Sequence, residues 1–99
     1  MNIKRTVSGS RMELALEGKL DAVTAPKFEA EIIEHLDKNT ELDIDLSAVE
    51  YISSAGLRAL LYLQQTLEEK NGTLTVRNVP EVIMHVFEVT GFSNIISIV

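Results

Sequence analysis

Two adjacent serines, Ser53 and Ser54, stand between the apolar Ile52 and the small pair Ala55-Gly56, just before a helical apolar pattern that opens at Leu57. A serine in that setting has two immediate uses. As a nucleophile it needs a base, usually histidine, oriented by a third group. As a helix cap it needs only its Oγ, which accepts an orphan N–H and contributes about 1 kcal/mol. The nucleophile finds no support. His35 and His85 are the only histidines, and both fall within helical patterns on outward or boundary positions. The Gly-x-Ser-x-Gly elbow is absent. The chain has no cysteine, which removes disulfides, thiolate metal sites and a cysteine nucleophile together. Asp43 and Asp45 lie two apart on one strand face, without an evident third metal ligand. Gly56 stands alone rather than in a glycine-rich phosphate loop.

Capping therefore explains one serine, but two are present where one cap suffices. Ala55 and Gly56 leave little bulk beside them, so a second protein can approach. Asp45 is expected to end the preceding strand near this helix start, at the carboxyl edge of a parallel sheet, where such folds place function. Asp21, after the second strand, is expected to reach the same edge, and Arg58 lies one turn into the helix.

The elements that must position these groups follow from periodicity. Residues 2–7 are weakly β-like and residues 11–16 alternate polar and apolar, which predicts an N-terminal hairpin at a sheet edge, with a bend at Gly18. Thr24 and Pro26 open a helix over 25–38, with Ala25, Phe28, Ile32 and Leu36 on one face and Asn39-Thr40 at its end. Residues 41–46 alternate strictly and read as a strand, 47–52 as a loop. Leu57, Leu60, Leu61 and Leu67 mark a second helix stopped at Asn71-Gly72. Residues 73–77 form a strand, Pro80 to Gly91 a third helix, and 94–99 a last strand. Strands alternating with helices predict a single α/β domain over 1–99: a mixed, mainly parallel central sheet with about three helices and an edge hairpin.

Charge and hydropathy narrow the function. Fifteen Asp and Glu against nine Lys and Arg give a net charge of -6, which disfavours phosphate backbones, so no nucleic-acid partner is expected. No window approaches the roughly 20 apolar residues of a membrane span. No apolar run follows Lys4-Arg5, so a cytoplasmic location is expected rather than secretion.

The sequence resembles a family over nearly its whole length. Gly18-Lys19-Leu20-Asp21 before the first helix, Asp45-Leu46-Ser47 followed by Ile52-Ser53-Ser54-Ala55-Gly56-Leu57, and Val79-Pro80 through Val86-Phe87 to Gly91 together are similar to stand-alone STAS domains, specifically the bacterial anti-sigma factor antagonists. The resemblance implies a STAS-like fold and a binding protein rather than an enzyme, with no cofactor. It implies that Ser54 is the phosphoacceptor of a partner switch. The unphosphorylated form would bind an anti-sigma factor that is also a serine kinase, and so free the sigma factor. Phosphorylation would break that complex, and a PP2C-type phosphatase would reset it. Asp21, Asp45, Ser53, Ser54, Gly56 and Arg58 are the expected partner-binding residues. Many family members carry aspartate before the acceptor; Ser53 here leaves a second candidate acceptor. The alternative within the family is an accessory or scaffold module of a transporter or a stressosome-like assembly.

Overall fold

Ser8 and Arg11 pair across a two-residue turn in which Gly9 adopts a φ of +62°, a conformation that glycine reaches without a Cβ penalty. The turn joins β1 (Asn2–Ser8) to β2 (Arg11–Leu20) as an antiparallel hairpin. The computed structural model describes residues 1–36 and 40–99. After the hairpin come α1 (Ala25–His35), β3 (Glu41–Ile52), α2 (Ser54–Glu69), β4 (Thr73–Arg77), α3 (Glu81–Thr90), a 3-10 turn (Phe92–Asn94) and β5 (Ser97–Ile98). The five strands form one sheet in the order β1-β2-β3-β4-β5. Only the hairpin is antiparallel; the other three pairings are parallel.

The helices cover one face of this sheet. Met12, Leu14 and Leu16 of β2, Leu42, Ile44 and Leu46 of β3, and Leu74 and Val76 of β4 are all buried there. Phe28 and Ile32 of α1, Leu60, Leu63 and Leu67 of α2, and Ile83 and Phe87 of α3 close over them. Each such side chain stabilises the fold by about 1.5–3 kcal/mol when fully buried. Phe87 and Phe92 meet with ring centroids 5.1 Å apart and planes at 51°, anchoring the last turn to α3.

The opposite face of the sheet is open and polar. Asp43 sits there, 7% exposed, the one buried charged residue among those described. Arg11 Nη2 donates to its Oδ2 at 2.6 Å, and Arg77 Nε donates to its Oδ1 at 2.7 Å. A second Arg77 donor, Nη2, also reaches Oδ2. Strict alternation of residues 41–46 thus separates an apolar core face from an ion-paired outer face. Asp43 holds the pleat between β2 and β4 rather than forming half of a metal site.

Several boundaries depart from the sequence expectation. β2 runs on to Leu20, four residues past its expected end. The expected loop at 47–52 is the second half of β3. The physical reason is a pair of bulges. β3 advances three positions, from Asp45 to Ala48, while β2 advances two, from Ala15 to Glu17, and again two, from Val49 to Tyr51, while β2 advances one, from Gly18 to Lys19. Each extra residue resets which side chain faces inward. Inward positions therefore run 42, 44, 46 and then 49 and 52, a spacing that no longer reads as a strand. β5 is only Ser97–Ile98, because Phe92–Asn94 turns first. The first helix ends at His35, and its expected continuation to 38 with a stop at Asn39 lies outside the described residues.

Candidate functional site

The bulged length of β3 decides what surrounds the serine pair. β2 and β3 end level with each other, Leu20 opposite Ile52. The Ser53 N–H then donates to the Leu20 carbonyl at 3.0 Å. The residues that follow, Asp21 on one connection and Ser53-Ser54 on the other, are thereby neighbours at the carboxyl edge of the sheet.

The two serines have different jobs. Ser53 is the N-cap, with extended backbone at φ -99° and ψ 177°. The Gly56 N–H donates to its Oγ at 3.3 Å, and the Leu57 N–H donates to its carbonyl at 2.9 Å. Ser54 is the first helical residue of α2 and is exposed. The cap is thus supplied by one hydroxyl while the other faces solvent. Capping and accessibility were indistinguishable in the sequence because both serines precede the same helix.

Gly56 is buried, and its side faces β2. A Cβ there would lie 2.5 Å from the Leu20 carbonyl oxygen and 2.8 Å from Ile52 Cγ1. Gly56 therefore lets the start of α2 seat directly on the ends of β2 and β3. This corrects the expectation that Gly56 opens space for a partner: the space is filled by the sheet. Arg58, one turn further on, is exposed, on the same side as Ser54.

Asp21 organises the connection from β2 to α1. Its Oδ1 accepts from the Val23 N–H at 2.9 Å and the Thr24 N–H at 3.1 Å. The Thr24 hydroxyl donates to the Lys19 carbonyl at 2.7 Å and accepts from the Asp21 N–H at 2.9 Å. The Thr24 and Val23 amides stabilise the carboxylate and hold its pKa below the ordinary value of 3.8. Thr24 precedes α1 as expected, but its hydroxyl serves this loop rather than the helix N–H groups. The loop carries Val23 at its tip, 72% exposed.

Asp45 is elsewhere. It pairs with Ala15 in the middle of β3, and the seven residues to Ile52 span roughly 20 Å at strand rise. This corrects its expected place beside the helix start. Its Oδ1 accepts from the Ser47 N–H at 2.8 Å, and Asn78 Nδ2 donates to its Oδ2 at 3.2 Å. The Ser47 amide, with lesser help from Asn78 and Arg77, lowers its pKa. Ser47 lies in the first bulge, where a ladder partner is lost, so Asp45 satisfies an N–H that the bulge frees. A concavity of about 300 Å³ on this open face is lined by Lys4, Glu13, Asp43, Asp45 and Arg77 among others. Arg77 is already committed to Asp43 there. Among the described residues, no group of three His, Asp or Glu is placed to hold a metal ion, and no helix is long and apolar enough to cross a membrane.

The geometry thus brings Asp21, Ser53, Ser54 and Arg58 to one surface, turns Gly56 inward and leaves Asp45 on another face. Sequence reasoning missed the exposed Val23 beside them, since an apolar residue after Asp-Ala gives no sign of facing solvent.

Comparison with known proteins extends this picture. Residues 3–98 match the STAS domain family described as Mlab, STAS domain. The anti-sigma-B factor antagonist of Listeria monocytogenes is 32% identical over 88 residues, which is 88% of this chain and 77% of that one. The crystal structure of an anti-sigma factor antagonist from Mycobacterium paratuberculosis superposes with a TM-score of 0.85 at 26% identity, covering 98% of this chain and 83% of that one. The Bacillus cell fate determinant SpoIIAA in its phosphorylated form shares the fold, with a TM-score of 0.77 at 18% identity over 99% of this chain and 91% of that one.

Proposed function

The chain belongs to the STAS domain family, and we propose that it acts as an anti-sigma factor antagonist whose binding is switched off by phosphorylation of Ser54. It works by binding an anti-sigma factor and thereby freeing a sigma factor. In this reading the anti-sigma factor is also the serine kinase that modifies Ser54, a PP2C-type phosphatase restores the hydroxyl, and all of this takes place in the cytoplasm without catalysis by the chain itself.

One observation carries the reading: Ser53 supplies the cap of α2, which leaves Ser54 exposed at the first helical position. A kinase can reach that hydroxyl without uncapping the helix. The added phosphate brings about -1.5 to -2 charge at pH 7. The helix N-terminus tolerates an anion, because its first N–H groups and dipole favour negative charge, so the fold persists. The partner does not tolerate it. A contact shaped around a small hydroxyl meets bulk and charge beside the Asp21 carboxylate. A like-charge approach near 4 Å costs about 1–4 kcal/mol at effective dielectrics of 80 to 20. Each 1.4 kcal/mol is a tenfold change in affinity. The switch therefore acts by exclusion at the surface, without rearrangement of the sheet.

The test is a pull-down from the source organism's lysate with wild-type, Ser54→Ala and Ser54→Asp baits, read by mass spectrometry. Wild-type and alanine baits retain an ATP-binding serine kinase, and the aspartate bait loses it. Equal retention by all three baits, or recovery of a membrane permease alone, refutes the switch. Phosphopeptide mapping after incubation with that kinase and ATP finds the phosphate on Ser54; phosphate on Ser53 alone refutes the assignment.

A further inference from the structure

The Ser54 hydroxyl is too small a contact to hold a partner, since specific complexes bury roughly 800 Å² on each side. The surface that continues from it is set by helix periodicity. Ser54, Arg58 and Tyr62 follow one another at four-residue intervals along α2, and all three are exposed. The stripe rises about 12 Å from Ser54 to Tyr62 at 1.5 Å per residue. Tyr62 is 45% exposed, although its ring also borders α1. Because α1 and α2 follow β2 and β3, which are parallel and end level, the two helices run side by side in the same direction. Between them lies a groove of about 340 Å³ lined by Pro26, Glu29, Ala30, Ile33 and Tyr62.

We propose that the partner switched at Ser54 extends along this stripe, places an apolar side chain in the α1/α2 groove against Tyr62, and sets a carboxylate against Arg58. The proposal rests on the switch reading above and names the rest of the surface that the same partner uses. Three observations carry it. Tyr62, which lines the groove, stands at the end of the exposed Ser54–Arg58–Tyr62 stripe, so a protein that covers the serine and runs along α2 meets the groove next. Its lining is apolar apart from Glu29, with an exposed tyrosine at one wall and an arginine one turn away, the residue types that dominate binding energy. Arg58 is the only cation of α2 in a chain of net charge -6, and none of the ion pairs among the described residues engages it. An acidic group on a partner lying along α2 therefore finds there a cation not committed to an ion pair. The register also couples this contact to the switch. A phosphate on Ser54 lies four residues N-terminal to Arg58, the favourable order for an anion–cation pair on a helix. Phosphorylation thus occupies the cation that the partner's carboxylate requires.

The experiment titrates the serine kinase recovered in the pull-down, purified and loaded with ADP, against purified variants of the full chain by calorimetry. Tyr62→Ala and Ala30→Glu each weaken binding by about tenfold or more, with circular dichroism and melting temperature as in wild type. Val89→Ala, at a position 70% exposed on α3, binds as wild type. If Ser54→Asp abolishes binding while Tyr62→Ala and Ala30→Glu stay within about twofold of wild type, the switch reading stands and this surface is refuted. If Ser54→Asp binds as wild type, the switch reading falls and this inference falls with it.

Discussion

Replacing Gly56 by alanine separates a packing role from a binding role at the serine motif. The new Cβ lies 2.5 Å from the Leu20 carbonyl oxygen, 2.8 Å from Ile52 Cγ1 and 3.0 Å from Leu20 Cγ. The first of these is backbone at the end of β2, where the same carbonyl already accepts the Ser53 N–H at 3.0 Å. It cannot swing away as a flexible side chain can. Relief therefore requires the start of α2 to lift from the sheet, which also stretches that hydrogen bond. Overpacking of this kind costs about 1–3 kcal/mol. Alanine returns up to ~1 kcal/mol through its higher helix propensity. The net loss lies between roughly 0 and 3 kcal/mol, and its mid-value of about 1.5 kcal/mol lowers the melting temperature of a domain this size by roughly 6–12 °C. Calorimetry or thermal circular dichroism of the purified chain reads it directly. A variant that melts at or above the wild-type temperature would refute the close approach as the reason for glycine here, and would return Gly56 to the partner surface.

Four further outcomes follow from the same geometry. Ser53→Ala loses the Gly56 N–H acceptor and lowers stability by about 0.5–1 kcal/mol, yet still accepts phosphate from the kinase. Ser54→Ala leaves the urea midpoint unchanged and accepts none; the reverse pattern in a paired urea and phosphorylation assay would exchange the two assignments. Asp21 is held ionised by the Thr24 and Val23 amides, so its pKa in the fold lies below the ordinary value of 3.8. Its contribution is therefore present above that value and lost as pH falls through the lower folded value, and the gap in urea midpoint between wild type and Asp21→Asn is open at pH 6 and closes in strong acid. Asp43→Ala destabilises more than Arg11→Ala, because it leaves two guanidinium groups without their shared acceptor while the carboxylate in Arg11→Ala keeps Arg77; equal urea midpoints for the two variants would argue against a shared clamp.

The kind and order of most elements are legible in the periodicity of the chain. Each helix announces itself through contacts three and four residues apart, and α2 and α3 begin and end close to where Ser53, Gly72, Pro80 and Gly91 mark them. The alternation of 11–16 and 41–46 likewise fixed which side chains enter the core, because a strand's two faces are encoded residue by residue. The family motif, with its serine pair before a glycine, was equally legible, since it is contiguous in the chain. Relations between segments emerge only on folding. The bulges of β3 exist only relative to β2, and they carry Asp45 away from the serines while bringing Leu20 and Ile52 level. Which serine caps, and which is exposed, depends on how α2 seats on the Leu20 carbonyl. Gly56 reads as open space in the sequence and is a point of contact in the fold, because the atom that excludes a Cβ belongs to a residue far away along the chain. Tyr62 gains meaning only when α1 lies beside it. Periodicity is written in neighbours along the chain, whereas register and the approach of helices to strands are set by residues that meet only after folding.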